Sequence, residues 1–259
     1  MATGRGTGSG GAGRVVKGGM VTAQPVPVLS DNYAWLLRCD ADGSTAIVDP
    51  PELAPVLAAV EAAGGRLDWI VLTHHHADHI AAAEDVRQRT GARIAGAGAD
   101  AARLPPLDLE LAEGDRFALG ACAAEVMETP GHTVGHISLF FPDGAVLLCG
   151  DTLFSLGCGR LLEGTAAQMW HSLSRLSALP PETLVCCGHE YTLSNARFAV
   201  TAEPENEALA VYAEQVRAMR AQHRPTLPSR LADELACNPF LHAASAAAFA
   251  ELRRRKDQF

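Results

Sequence analysis

Long apolar runs are missing from this chain of 259 residues. Stretches such as AVLLC at 145–149 fall far short of the ~18 residues that a bilayer-spanning helix needs. Aromatic residues are scarce at 5%, so a core drawn from the 48% hydrophobic residues must be filled with Leu, Ala and Val. Positive charge is short as well. Lys and Arg number 21 against 30 Asp and Glu, a net charge of −9, which removes any general attraction to nucleic acid or an anionic membrane. An anionic substrate must then be met by a local basic patch. The seven cysteines (39, 122, 149, 158, 186, 187, 237) form no C-x-x-C pair and sit mostly in apolar stretches. That argues for buried free thiols in a reducing compartment rather than a disulfide framework. The Gly-rich start lacks the apolar segment of a secretory signal, so residues 1–20 read as a flexible tail, with Met20 a possible alternative start. A cytoplasmic monomer without nucleic-acid or membrane partners is expected.

At ~150 residues per domain the length suits one large domain and a smaller companion. VTAQPVPVL and YAWLLR, separated by SDN, read as strands, followed by a strand at TAIVDP. Residues 52–63 have helical periodicity and stop at Gly64-Gly65. LDWIVLT is a short buried strand, a helix of about ten residues is expected from Ile80, and a strand near ARIAG follows. Further strands are expected at 117–128, 136–141, 145–149 and TLVCCG, with a helix at 166–179. Beyond residue 190 the segments 205–223, 228–236 and 243–256 are Ala-rich, charged and helical in pattern, with almost no strand signal. The division expected is therefore a tail over 1–20, a mixed α/β catalytic domain over 21–190 and a helical domain over 191–259.

The chemistry concentrates at strand ends, where α/β layers place their active sites. Thr73-His74-His75-His76-Ala77-Asp78-His79 packs four imidazoles and a carboxylate into six positions, a group costly to bury unless something binds its lone pairs. Alternation puts His74 and His76 on one side and His75 on the other, and the following turn carries Asp78 and His79 into an adjoining volume. That is a layout for two neighbouring metal ions. Three later segments repeat one device, an apolar strand, a glycine and a ligand: Gly131-His132, Gly150-Asp151 and Gly188-His189. Imidazole and carboxylate donors without sulfur suit Zn²⁺, Fe or Mn²⁺. His75 and His136 read as orienting groups, and His171, His223 and His242 as ordinary surface or core residues.

THHHADH, PGHTVGH, GDTLF and CGHEY resemble the signature set of the metallo-β-lactamase superfamily. GDTLFSLGCGRLLEGT, LPPETLVCCGHEYTLSN, NPF and the terminal RRKDQF are similar to its glyoxalase II (hydroxyacylglutathione hydrolase) branch, from about residue 24 to the end. The resemblance implies an αββα sandwich followed by a helical C-terminal domain lying over the site. It places His74, His76 and His132 on one divalent ion and Asp78, His79 and His189 on the other, with Asp151 bridging. Zn²⁺ is the first expectation for both ions, with Fe or Mn²⁺ as alternatives. It further implies that Arg160, Tyr191, Arg253 and Lys256 bind glutathione; Arg253 and Lys256, three apart, share one helical face. Departures from the family pattern are Ala81-Ala82 in place of two glycines, Leu162 where an aromatic is common, and His242 where arginine is common.

The implied reaction is hydrolysis of the S-D-lactoylglutathione thioester to glutathione and D-lactate, the second step of methylglyoxal detoxification. Two ions can lower the pKa of a water between them from 15.7 toward ~7, giving hydroxide that Asp78 orients and that attacks the carbonyl. The thiolate leaves readily, so no strong general acid is required. Cys158 reads as structural. Alternatives on the same scaffold are a mononuclear-iron persulfide dioxygenase, a lactonase or β-lactamase, and a broader thioesterase. From another class comes a metal-binding scaffold without catalysis.

Overall fold

Alternation of apolar side chains divides the strands of the first sheet between two cores. The computed structural model describes residues 19–259, so of the tail expected over 1–20 only Gly19 and Met20 are described. Strands β1 (Val21–Val28), β2 (Asn32–Cys39), β3 (Thr45–Val48), β4 (Trp69–Leu72), β5 (Arg93–Ala97) and β6 (Leu109–Leu111) form a six-stranded sheet in that order. The first three pair antiparallel, and β3 to β6 run parallel. Trp35 and Leu37 of β2, Val48 of β3 and Val71 of β4 enter a core shared with the second sheet. Their neighbours Ala34, Leu36, Ile47, Ile70 and Leu72 pack instead with α1 (Leu53–Ala62), the single turn α2 (Ala77–Ile80) and α3 (Ala83–Thr90). Each fully buried large aliphatic is worth about 1.5–3 kcal/mol, so a one-residue slip, which would exchange the two faces, is strongly disfavoured.

The second sheet contains β7 (Arg116–Leu119), β8 (Cys122–Glu128), β9 (Ile137–Phe141) and β10 (Val146–Gly150). After the small hairpin of β11 (Leu153–Phe154) and β12 (Gly157–Cys158), it continues through β13 (Leu184–Cys187) to β14 (Ser229–Arg230). Its outer face is covered by α4 (Ala166–Ser177), whose Met169, Leu173 and Leu176 form a buried stripe at helical spacing. Thr165 and Gln168 close a reciprocal capping box at its start. Helices α5 (Thr192–Ala202), α6 (Glu207–Ala221) and α7 (Leu231–Cys237) share a small core of their own with Leu156. The last helix, α8 (Ala246–Asp257), lies against α4 and buries Phe249 completely. The layers are thus helix, sheet, sheet, helix, with a helical C-terminal part, as the sequence implied.

Two local differences from the expected elements have physical causes. The helix expected from Ile80 is broken: Ala81 is exposed and Ala82 sits at φ −102°, capping α3 while its N–H bonds Pro50 O. The extra methyl of Ala82 is buried among the helix-side core residues. Segment 228–236 is not wholly helical, because Ser229 and Arg230 pair with β13 before α7 begins. The short strand β6 and the helix α5 were not expected. Pro25 and Pro27 lie two apart on β1, the outer strand of its sheet, so both missing N–H groups fall on one side of that strand.

Candidate metal centre

The parallel strands β3 and β4, and β10 and β13 of the other sheet, end at one edge of the sandwich. Asp49, Thr73–His79, Asp151 and His189 follow those ends directly, and the loop after β8 brings in His132. His74 Nε2 lies 3.1 Å from His76 Nδ1, and His132 Nε2 3.0 Å from the same atom. Three ring nitrogens cannot all satisfy one another with hydrogens. Their spacing is close to the roughly 3.3 Å edge of a tetrahedron with metal–nitrogen bonds of about 2.0–2.1 Å. Asp78, His79 and His189 form a second group able to hold an ion. Asp151 touches both: its Oδ2 is 3.4 Å from His132 Nε2 and 3.3 Å from His189 Nε2. His79 Nε2 and Asp151 Oδ1 are buried 3.4 Å apart and neither makes a hydrogen bond, leaving a gap that suits a cation. The donors therefore fit a dinuclear divalent metal site.

The distal nitrogens are held by a surrounding shell. Thr73 Oγ1 gives its proton to Asp49 Oδ2 at 2.6 Å, so His74 Nδ1–H donates to that hydroxyl and the Nε2 lone pair faces the cluster. The same Asp49 oxygen accepts from His79 Nδ1 at 3.0 Å. Asp49 is kept in the left-handed region at φ +52°, and both its oxygens serve Thr73. His132 Nδ1 donates to Arg160 O at 2.9 Å, His189 Nδ1 meets Asp31 Oδ1 at 3.1 Å, and Asn32 Nδ2 donates to Asp78 Oδ2 at 3.1 Å. Such partners fix ring orientation and ligand basicity. The grouping of Asp49, His74 and His79 is thus hydrogen-bonded support rather than a third ion position.

Charge follows geometry. Burial, reinforced by His79 and His136, holds His74 well below the usual imidazole range, in the neutral ligand form. Burial alone would push Asp151 up, but His79 and His189 outweigh it and keep the carboxyl well below its ordinary value. His79 is the converse: burial lowers it, and Asp151 and Asp49 raise it further. His136 accepts from Asp151 N at 3.1 Å, and burial takes it down to about 3, so it supports the ligand loop as a neutral ring. Gly150, at φ +44°, is required here, because a Cβ would collide with Thr73 Oγ1 and His136 Nε2.

A cavity of about 690 Å³ opens from the candidate metal ligands His76, Asp78, His132, Asp151 and His189 toward Arg160, Tyr191, Arg197, Arg253 and Lys256. Tyr191 stacks on His189, with ring centroids 4.5 Å apart, and burial pushes its phenol up to about 12, so it stays a donor at neutral pH. Arg160 is exposed, and Lys256 is half-buried with Nζ 3.2 Å from Ser194 O. Arg253, expected to pair with glutathione beside Lys256, has its guanidinium largely engaged within the protein. It is 5% exposed, packs over the Phe240 ring and donates from Nη1 to Cys158 O at 2.9 Å, while Asp257 takes Nε. It lines the cavity but also braces the loop bearing Arg160. Leu162 is 59% exposed at the cavity rim, and His242 is occupied by Glu203 and Leu235 O, away from the cavity lining.

Sequence reasoning singled out neither Asp31, Asp49 nor Arg197. Asp49 had a signal, since TAIVD repeats the motif of apolar strand and acid. All seven cysteines are buried, and burial raises the Cys158 thiol to about 11, with Arg253 opposing. Thiol-blocking reagents under native conditions are therefore expected to leave catalysis intact. Alkylation followed by activity measurement and mass spectrometry checks this, and loss of turnover with metal content unchanged would refute it.

Residues 29–189 match the metallo-beta-lactamase superfamily, and residues 190–259 match the hydroxyacylglutathione hydrolase C-terminus. The chain is 60% identical over 238 residues to a hydroxyacylglutathione hydrolase of Acidiphilium cryptum, covering 92% of this chain and 97% of that one. Among solved structures it resembles ETHE1 from Myxococcus xanthus at TM-score 0.67 and 26% identity, covering 90% of each chain. It also resembles the di-iron-bound form of TTHA1623 at TM-score 0.55 and 30% identity, over 64% of this chain and 91% of that one.

Proposed function

Because the chain belongs to the hydroxyacylglutathione hydrolases of the metallo-β-lactamase superfamily, we propose that it cleaves the thioester of S-D-lactoylglutathione to glutathione and D-lactate. The observation that carries this reading is a cavity lined at one end by five of the seven proposed metal-ligand residues, His76, Asp78, His132, Asp151 and His189, and at the other by Arg160, Arg197, Arg253 and Lys256. It would take up a small molecule with a hydrolysable acyl group and distant carboxylates.

His74, His76 and His132 would hold one ion, and Asp78, His79 and His189 the other, with Asp151 between them. Two divalent ions held there would supply Lewis acidity toward the carbonyl and would lower the pKa of a bound water toward ~7. Zn²⁺ is the proposed metal. The di-iron form of TTHA1623 supports iron as the alternative. Asp78 has Oδ2 anchored by Asn32, and its Oδ1 makes no hydrogen bond among the described residues, so Oδ1 would accept a hydrogen bond that orients the attacking hydroxide. The Tyr191 hydroxyl donates to the bound glutathione. Arg160 and Lys256 pair with its carboxylates, and Arg253 steadies the Cys158–Arg160 segment beneath them. The thiolate leaves without a proton donor. The enzyme would act as a cytoplasmic monomer, the 21–190 part supplying the metal centre and the 191–259 part the glutathione grip. No helix among the described residues is long and apolar enough to cross a membrane.

The direct test is hydrolysis of S-D-lactoylglutathione by purified protein, run with elemental analysis. Turnover with close to two metals per chain is expected. One tightly held iron without thioesterase activity would overturn the proposal in favour of a mononuclear-iron oxygenase. Lys256→Ala separates binding from chemistry better than Arg253→Ala, which also removes a brace. A charge-assisted hydrogen bond is worth ~1.5–3 kcal/mol, so Lys256→Ala is expected to raise KM roughly ten- to a hundredfold with little change in kcat. An unchanged KM in steady-state kinetics would remove Lys256 from the glutathione site.

A further inference from the structure

His75 is the histidine of the THHHADH run that no ligand group takes up. Its Nδ1 lies 2.8 Å from Asp100 Oδ2 and its Nε2 3.3 Å from Arg103 Nη1. A guanidinium only donates, so Nε2 accepts and Nδ1–H donates to Asp100. Asp100, 1% exposed, also receives Arg103 through Nε at 3.1 Å and through Nη2. The remaining N–H groups of Arg103 reach Glu163, Nη1 to Oε1 at 2.5 Å and Nη2 to Oε2 at 3.3 Å. All five N–H donors are thus engaged.

Glu163 passes the connection on. Its Oε2 accepts from Val134 N at 2.9 Å, and the N–H groups of Leu162 and Glu163 both bond His132 O. Gly135 presses so closely on Asp100 that a Cβ there would collide with the carboxylate. One arginine therefore joins four segments: the loop of His74 and His76, the turn after β5, the loop of His132 and the 160–165 stretch. The other ligand group has separate anchors, since Asp49, Asp31 and Asn32 hold His79, His189 and Asp78.

We propose that Arg103 is a positioning residue that sets the spacing between His74/His76 and His132, and so the affinity of that one ion position. The proposal rests on the two-metal reading above. Its chemical logic is that these three ligands come from two loops, and the Arg103 clamp with Asp100 and Glu163 ties those loops together through side chains. Without the guanidinium, Asp100 keeps His75 and Glu163 keeps Val134 N, but no cation lies between the two carboxylates and the side-chain tie between the loops is lost.

The test uses the full chain loaded with Zn²⁺ and titrated with a chelator while metal release is followed, alongside kcat and KM. In Arg103→Met one of the two ions is expected to leave at about ten- to a hundredfold less chelator than in the wild type, with the second ion released as before. At low metal kcat falls, and excess Zn²⁺ restores it while KM stays within about twofold. A purely structural role would lower the melting temperature of the metal-free protein without moving either affinity. Arg103→Lys should recover part of the loss and Glu163→Gln should reproduce it, and these variants carry the test if Arg103→Met does not fold. Release of both ions together, or of both at wild-type chelator concentrations, would overturn the proposal. A wild type that binds a single ion would instead overturn the two-metal reading, and shows this before any variant is made.

Discussion

Replacing Asp151 by alanine is expected to lower thioester hydrolysis about a hundred- to a thousandfold, the scale on which enzymes lose preorganised electrostatic stabilisation. The reason lies in position and charge. Asp151 is 6% exposed, is held anionic by His79 and His189, and is the carboxylate with an oxygen near both ligand groups. Removing it leaves two imidazole-rich positions with no shared anion to offset two dications, so both occupancies should fall. Chelation of the wild type should mimic the variant completely, and added Zn²⁺, Fe or Mn²⁺ should rescue only the wild type. Elemental analysis and kcat/KM on the same preparations check this. Wild-type activity in Asp151→Ala, or activity surviving full metal removal, would show that the reaction does not depend on this centre.

Phe249→Ala is expected to cost about 3–5 kcal/mol, the usual loss for an aromatic deleted from a packed core. Its ring is fully buried on α8, 5.9 Å from the Phe240 ring, in the core that α8 shares with α4. The same helix carries Arg253 to Cys158 O and places Lys256 at the cavity. Loosening it should therefore raise KM for the glutathione thioester more than it lowers kcat, because the proposed metal ligands all lie outside α8. Denaturant unfolding gives the stability change, and Val211→Ala, at a 58% exposed position, should stay within about 0.5 kcal/mol. A Phe249→Ala protein as stable as that control would mean that α8 is not integral to the core.

Much of this architecture could be read from residue identities. Ligand chemistry is explicit in sequence: His74, His76, His132, Asp151 and His189 stand beside glycines or strand ends, and the structure brings them together. Apolar runs such as WIVL and VLLC mark buried strands whatever their partners. The supporting shell is much less legible. Asp31 and Asp100 look like any acid in a turn, and only folding shows that one holds His189 and the other His75. The strand β14 exists because two residues meet β13, a tertiary event with no local pattern. The expectation of a glutathione contact at Arg253 does not reveal that its guanidinium also bonds Cys158 O and Asp257. The spacing of four from Phe249 places Arg253 on the buried side of α8, and that periodicity was available.

The outer strands of the two sheets bear on how the protein behaves at high concentration. A sheet margin with free N–H and C=O groups is a template for adding a foreign strand, and hence for aggregation. On β1 that template lacks two donors on one side, at Pro25 and Pro27. The opposite margin, β6, is three residues long. In the second sheet β13 would offer Leu184–Cys187 as a margin, and the two-residue β14 pairs with its first half, Leu184 and Val185. The chain after residue 190 thus does more than shape a substrate cavity. A protein cut there is expected to expose the β13 margin at Leu184 and Val185 to strand addition, so the helical part covers a sheet edge as well as walling the cavity.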